Sequence, residues 1–112
     1  MSKIWLIFGG SGFVGTNLIL NLIKNNKIIC VDINKKNSLN LLKLLSRKEK
    51  KKIKIISKSI IKYKDLESIF KSQYFDIVVN LAALTSVNET SLHPKKTLLT
   101  NVKGFENILK LM

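Results

Sequence analysis

Gly10, Gly12 and Gly15 form the spacing G-x-G-x-x-G, and the apolar run Ile4-Trp5-Leu6-Ile7-Phe8 leads straight into it. Glycines at this spacing hold phosphate. The first turns the chain sharply, the second lets backbone N–H groups approach a pyrophosphate, and the third lets the next helix pack closely on the strand. The anion then lies at a helix N-terminus, where unpaired N–H groups and the helix dipole favour negative charge. Asp32, 20 residues beyond Gly12, closes a second apolar run, Ile28-Ile29-Cys30-Val31. A carboxylate so placed accepts hydrogen bonds from both hydroxyls of a ribose, which is how NAD is gripped. Lone His93 stands before Pro94 with no partner acid and no metal-ligand spacing, so it reads as an exposed loop residue.

The elements that must position these groups follow from periodicity. A short unbroken apolar run such as Ile4–Phe8 suits a strand buried on both faces. Phe13, Val14, Leu18, Leu22 and Ile23 continue at near-helical spacing, which predicts a helix from Phe13 to about Lys24 with Asn25-Asn26 as its exit. Lys27–Val31 is the second strand. Asn34–Asn37 reads as a polar connection, Ser38 as an N-cap, and Leu39, Leu42 and Leu45 as the inward stripe of a second helix. The run Arg47–Lys52 reads as a solvated helix end and loop. Ile53–Ser57 is a third strand, and Asp65 is expected to cap a short helix through Lys71 with Leu66, Ile69 and Phe70 inward. Asp76–Asn80 is the fourth strand. Pro94 suits the first turn of a last helix carrying Leu98, Leu99, Val102, Phe105, Ile108 and Leu109. Strands alternating with helices predict an α/β fold with a Rossmann-type parallel sheet and flanking helices, of which this is the N-terminal four-strand portion only.

The chain has 112 residues and a formal charge of +13, from 20 basic and 7 acidic side chains. Such an excess suits an anionic partner, nucleic acid or a membrane surface. It equally suits a composition crowded with Lys, Asn and Ile, as an AT-rich coding sequence produces, and this is the reading adopted. No aromatic residue interleaves the lysines of Arg47–Lys52 to stack a base. The expectation is therefore no specific nucleic acid and no membrane partner. Cys30 is the single cysteine, within a predicted buried strand. It reads as a structural thiol, with no internal disulfide and no sign of an oxidising compartment. No run approaches the ~20 apolar residues of a membrane span, and the N-terminus lacks a signal-peptide pattern, so a cytoplasmic protein is expected.

Gly9, Gly12 and Gly15 also give G-x-x-G-x-x-G, and Gly9-Gly10-Ser11-Gly12-Phe13-Val14-Gly15 resembles the nucleotide-binding turn of the extended short-chain dehydrogenase/reductases. These are NAD-dependent nucleotide-sugar epimerases and dehydratases. The resemblance runs through essentially the whole chain. It implies cofactor contacts at Gly9, Gly12, Phe13, Val14, Gly15 and Asp32. Ser59-Ile60 falls where the family carries Asp and an aliphatic residue against the adenine, a departure that implies weaker adenine bonding, because a neutral hydroxyl replaces a charge. Val79-Asn80-Leu81-Ala82-Ala83-Leu84-Thr85 is similar to the family's segment closing the fourth strand, implying Leu81, Ala82 and Ala83 beside the cofactor and Thr85 beside the sugar. Thr100-Asn101-Val102-Lys103-Gly104 is similar to the family's last helix here, where Thr100 and Asn101 face the cofactor.

The family's acid/base pair, Tyr-x-x-x-Lys, is missing. Tyr63 is followed four residues on by Glu67, and Tyr74 by Val78. No catalytic residue is assigned, and whether the chain turns over substrate stays open. Residues 1–112 are expected to form an NAD(P)-binding Rossmann domain incomplete at its C-terminal end, since Leu111-Met112 falls inside a helical pattern with no cap signal. The resemblance implies a nucleotide-sugar substrate and a homodimer for the complete protein, with NAD rather than NADP as cofactor. Two readings of different class stand: the cofactor-binding portion of such an epimerase or dehydratase, or a non-catalytic product, either a truncated remnant or a basic nucleotide- or nucleic-acid-binding protein.

Overall fold

In the computed structural model, which describes residues 2–82 and 102–112, the apolar runs become strands of one parallel sheet. They are β1 (Ile4–Phe8), β2 (Lys27–Val31), β3 (Ile53–Ile56) and β4 (Ile77–Asn80), in the order β3-β2-β1-β4. Phe8 aligns with Val31 on one side and Asn80 on the other, and Val31 aligns with Ile56, so the carboxyl ends of the strands finish level. This is the order of the first four strands of a doubly wound dinucleotide-binding sheet, one three-strand half plus the strand beyond its switch point, with β1 between β2 and β4.

Side chains of a strand alternate between faces, and here both faces are covered. Leu6, Phe8 and Val31 pack with Leu66, Ile69 and Ile108 on one face. Ile7, Ile28 and Cys30 pack with Ile19, Ile23, Leu41 and Leu45 on the other. The second group comes from α1 (Phe13–Leu22) and the region of α2 (Lys35–Lys43); the first comes from α4 (Tyr63–Ser72) and α5 (Gly104–Leu111). Leu66 and Ile69 are buried and Phe70 half-buried, as the periodicity of that helix predicts.

Three local expectations are corrected. Asn34, not Ser38, caps α2: its side chain accepts from the Asn37 N–H, and the helix begins a turn earlier than predicted. Ser38 lies inside the helix, buried, its hydroxyl donating to the Asn34 carbonyl. Ser38 and Leu41 join the expected Leu45 on the buried side, the expected Leu42 is half-buried against the same core, and Leu39 alone of the expected stripe is out, 60% exposed. Asp65 does not cap its helix. α4 starts at Tyr63 behind Lys62, and Asp65 stands within the first turn, where the dipole favours a negative charge. The charge run is not only a helix end and loop. Arg47–Lys50 is a short helix of its own, α3, with a capping box: the Ser46 side chain accepts from the Glu49 N–H, and the Glu49 carboxylate accepts from the Ser46 N–H. That backbone bond, first, holds the Glu49 carboxyl below its ordinary value.

Cys30 is fully buried in β2. Burial, and secondarily the charge of Asp32, push its thiol from 9.0 up to about 12. The folded chain is expected to resist iodoacetamide at pH 8 and to react once unfolded, because only the thiolate attacks. The unfolded thiol loses its proton first, so the contribution of Cys30 to stability is present below pH 9 and declines as pH rises from about 9 towards about 12. Thiol titration across a denaturant melt checks both points.

Candidate functional site

The chain leaving β1 enters the glycine turn at the carboxyl edge of the sheet. Gly9 has φ +74°, a left-handed conformation that favours glycine, and its N–H donates to the Val31 carbonyl at 2.7 Å. The sharp turn therefore belongs to Gly9, which corrects the assignment of that role to Gly10. Gly10 serves packing instead: a Cβ there would lie 2.6 Å from the Cys30 sulfur. Gly12 precedes α1 in an extended conformation, φ −71° and ψ 179°, and no side chain caps the helix behind it. The first N–H groups of α1 thus have neither an intrahelical acceptor nor a capping side chain. Gly15 is buried against the turn, where a Cβ would lie 2.6 Å from the Gly10 backbone, so it brings α1 down onto the strand end.

Beside this turn lies a cleft of about 230 Å³. Of the residues singled out by sequence, Gly9, Gly12, Asp32, Ser59, Ile60, Leu81 and Ala82 line it. They come from the ends of all four strands, and level strand ends are what bring them together. Phe13 and Val14 do not line it; their side chains are 86% and 62% exposed at the start of α1. Gly15 lies beneath the turn rather than in the cleft. Ala83, Thr85, Thr100 and Asn101 lie outside the described residues, as do His93 and Pro94. Val31, Ile33 and Lys58 also line the cleft and were not singled out. Each adjoins a residue that was, so the signal available was position at a strand end rather than residue type.

Asp32 follows the last residue of β2, where its N–H donates to the Ile56 carbonyl at 3.0 Å. Its carboxylate accepts three hydrogen bonds: from the Ser11 hydroxyl at 2.7 Å, the Ser11 N–H at 3.3 Å and the Asn34 N–H at 2.9 Å. On the β3 side, Ser59 accepts from the Ile61 N–H at 3.4 Å, a long bond. Lys58 faces Asp65 at 3.8 Å, with both side chains a third or more exposed; such a pair contributes little to stability. On the β4 side, the Asn80 side chain accepts from the Ala82 N–H at 3.1 Å, holding the turn that brings Leu81 and Ala82 against Gly9. The Leu81 N–H donates to Phe8. Behind Ile60, α5 supplies Gly104, which leaves room for the Ile60 side chain, and buried Asn107, whose amide donates to the Ile60 carbonyl at 2.9 Å.

A parallel sheet in this order, with a glycine turn and an acid at adjacent strand ends, is a Rossmann-type dinucleotide-binding arrangement. Within that class the chain belongs to the GDP-mannose 4,6 dehydratase family, whose model matches residues 6–112. The UDP-glucose 4-epimerase of Neisseria meningitidis serogroup B is 30% identical over 105 residues, covering 93% of this chain and 31% of that protein. The UDP-glucose 4-epimerase of Thermotoga maritima, solved with UDP-glucose, is 28% identical with a TM-score of 0.82, over 96% of this chain and 33% of the other. The Bordetella bronchiseptica enzyme WbmG, solved in complex with NAD, is 25% identical with a TM-score of 0.82, over 99% of this chain and 34% of the other. The chain thus spans about a third of the length of these relatives. Among the described residues, no helix is long and apolar enough to cross a membrane.

Proposed function

We propose that residues 1–112 are the cofactor-binding N-terminal portion of a nucleotide-sugar epimerase or dehydratase that takes NAD in preference to NADP. The observation that carries this reading is the convergence of Gly9, Gly12 and Asp32 with the ends of β3 and β4 on one cleft. The protein's own groups suit the cofactor. α1 opens without a capping side chain, and beside Gly12 a Cβ would meet only the Gly9 carbonyl, at 3.5 Å. Space and unpaired N–H groups therefore coincide where a pyrophosphate would lie. Asp32 takes the adenosine ribose, Ile60 the adenine, and Leu81 and Ala82 the far side of the cleft. At about 230 Å³ the cleft is smaller than the ~300–1,000 Å³ of typical ligand sites, and it suits one nucleoside end rather than a whole dinucleotide.

When bound, NAD supplies the hydride acceptor for the sugar. These residues supply binding and orientation; neither Tyr63 nor Tyr74 has the lysine four residues on that the family's acid/base pair requires. The complete protein is read as a cytoplasmic homodimer acting on a nucleotide sugar. Family membership supports the substrate class.

Asp32 sets the test. Opposite a 2′-phosphate it would meet like charge. Lys35 and Lys36, just beyond, are exposed, and no Arg lines the cleft among the described residues. Calorimetric titration of the full-length protein should find NAD at least about tenfold tighter than NADP, a difference of about 1.4 kcal/mol. Asp32→Ala should weaken NAD and narrow the gap. Equal or tighter NADP binding by the unmutated protein would mean that Asp32 does not face the ribose.

A further inference from the structure

Ser11 stands between Gly9 and Gly12 of the glycine turn, and its side chain is committed to Asp32. It is 6% exposed, and both its hydroxyl and its N–H donate to the same oxygen of Asp32, Oδ2, at 2.7 and 3.3 Å. Its carbonyl in turn accepts from the Thr16 hydroxyl at 3.1 Å, so the serine is held from the α1 side. The other carboxylate oxygen, Oδ1, accepts from the Asn34 N–H at 2.9 Å. Asp32 is thereby clamped between the glycine turn and the start of α2. A carboxylate offers about four acceptor sites. Among the described residues three are filled, which leaves one on Oδ1.

We propose that Ser11 is a specificity-determining positioning residue, fixing Asp32 so that the carboxylate cannot withdraw from the adenosine ribose. The proposal rests on the reading of Asp32 as the ribose acid. A free aspartate could rotate about its side-chain torsions and let a 2′-phosphate in. A clamped one must first lose a short, charge-assisted hydrogen bond, the stronger kind. The clamp therefore disfavours NADP more than an unrestrained carboxylate would. It also presents Oδ1 to one ribose hydroxyl at a defined place, where the spacing alone suggested bonds to both, and this favours NAD. The serine touches no cofactor atom in this account and acts through Asp32 alone.

A double-mutant cycle on the full-length protein tests this, read as the ratio of NADP to NAD dissociation constants from calorimetric titration. Ser11→Ala should shrink the ratio about threefold or more, since a hydrogen bond to a charged group is removed. Asp32→Ala should collapse the ratio. Adding Ser11→Ala to Asp32→Ala should then change the ratio no further. If Ser11→Ala does not fold, Ser11→Cys, which keeps a side chain of similar shape but only a weak donor, gives the same comparison. A ratio unchanged by loss of the hydroxyl, while Asp32→Ala collapses it, overturns the proposal and leaves the reading of Asp32 intact. A Ser11 effect that persists without Asp32 overturns it too, as does tighter NAD binding by Ser11→Ala, which would make the hydroxyl a competitor of the ribose. A ratio unmoved by Asp32→Ala removes the underlying reading itself.

Discussion

Gly12→Val is expected to leave the fold standing and to remove NAD binding. The two effects separate because of where Gly12 sits. Its φ of −71° and ψ of 179° are open to any L-residue, so a side chain brings no backbone strain. An added Cβ would meet only the Gly9 carbonyl, at an ordinary 3.5 Å. The rest of a valine side chain then projects into the space that the pyrophosphate is proposed to occupy. The dissociation constant for NAD should rise at least about 100-fold, which corresponds to about 2.7 kcal/mol, while Tm shifts by less than about 4 °C. Gly12→Ala should give a smaller loss of affinity in the same direction. Gly15 is the control: there a Cβ would lie 2.6 Å from the Gly10 backbone, so Gly15→Ala should cost stability first and binding as a consequence. Unchanged NAD affinity in Gly12→Val, measured calorimetrically on the full-length protein, would take the turn out of the site.

What was legible in the sequence is what short-range rules control. The buried strands read as unbroken apolar runs because both faces of this sheet are covered, by Leu66, Ile69 and Ile108 on one side and Ile19, Ile23 and Leu41 on the other. The phosphate turn and Asp32 were legible because their spacing reflects one strand–turn–helix–strand unit. The choice between Gly9 and Gly10 as turning residue was not, since two overlapping glycine spacings share the same letters and only the backbone decides. Asn34 and Ser38 are both good caps four residues apart, so the cap was misplaced by a turn, and Leu39 was taken as inward along with Leu42 and Leu45, which do pack against the core. The Ser46–Glu49 capping box was written in the sequence but hidden inside a run of charges. The burial of Asn107 was not legible. A polar residue in an amphipathic helix ordinarily faces water, and this one is buried because it reaches the Ile60 carbonyl 47 residues away. The clamp of Ser11 on Asp32 is likewise a contact between two strand ends, set by the sheet order rather than by either local pattern.

The largest combined loss, of stability and of the cleft, is expected from Gly9→Ala. Two costs add there. At φ +74° an L-residue is strained by about 1–2 kcal/mol. Its Cβ would also lie 2.7 Å from the Ala82 nitrogen and the Leu81 carbonyl carbon, and backbone cannot step aside as a side chain can. The Leu81 N–H is bonded to the Phe8 carbonyl at 2.8 Å and the Ala82 N–H to the Asn80 side chain at 3.1 Å, so displacing this segment breaks the bond that ties the end of β4 to β1 and the one that shapes the turn after it. Overpacking of this kind costs about 1–3 kcal/mol, which brings the expected destabilisation to roughly 2–5 kcal/mol and lowers Tm by at least about 5 °C. NAD affinity should fall with it, because Leu81 and Ala82 form the wall opposite Asp32. Gly10→Ala offers the discriminating comparison. Its Cβ would lie 2.6 Å from the Cys30 sulfur and 3.0 Å from an Ile19 methyl, both side-chain atoms, so Cys30→Ala should restore much of its lost stability. The same second substitution should do nothing for Gly9→Ala, whose conflict is with backbone. Thermal melts of the two single and two double variants settle the point. A Gly9→Ala protein that melts with the unmutated one, or one rescued by Cys30→Ala, would mean that Gly9 does not make the turn.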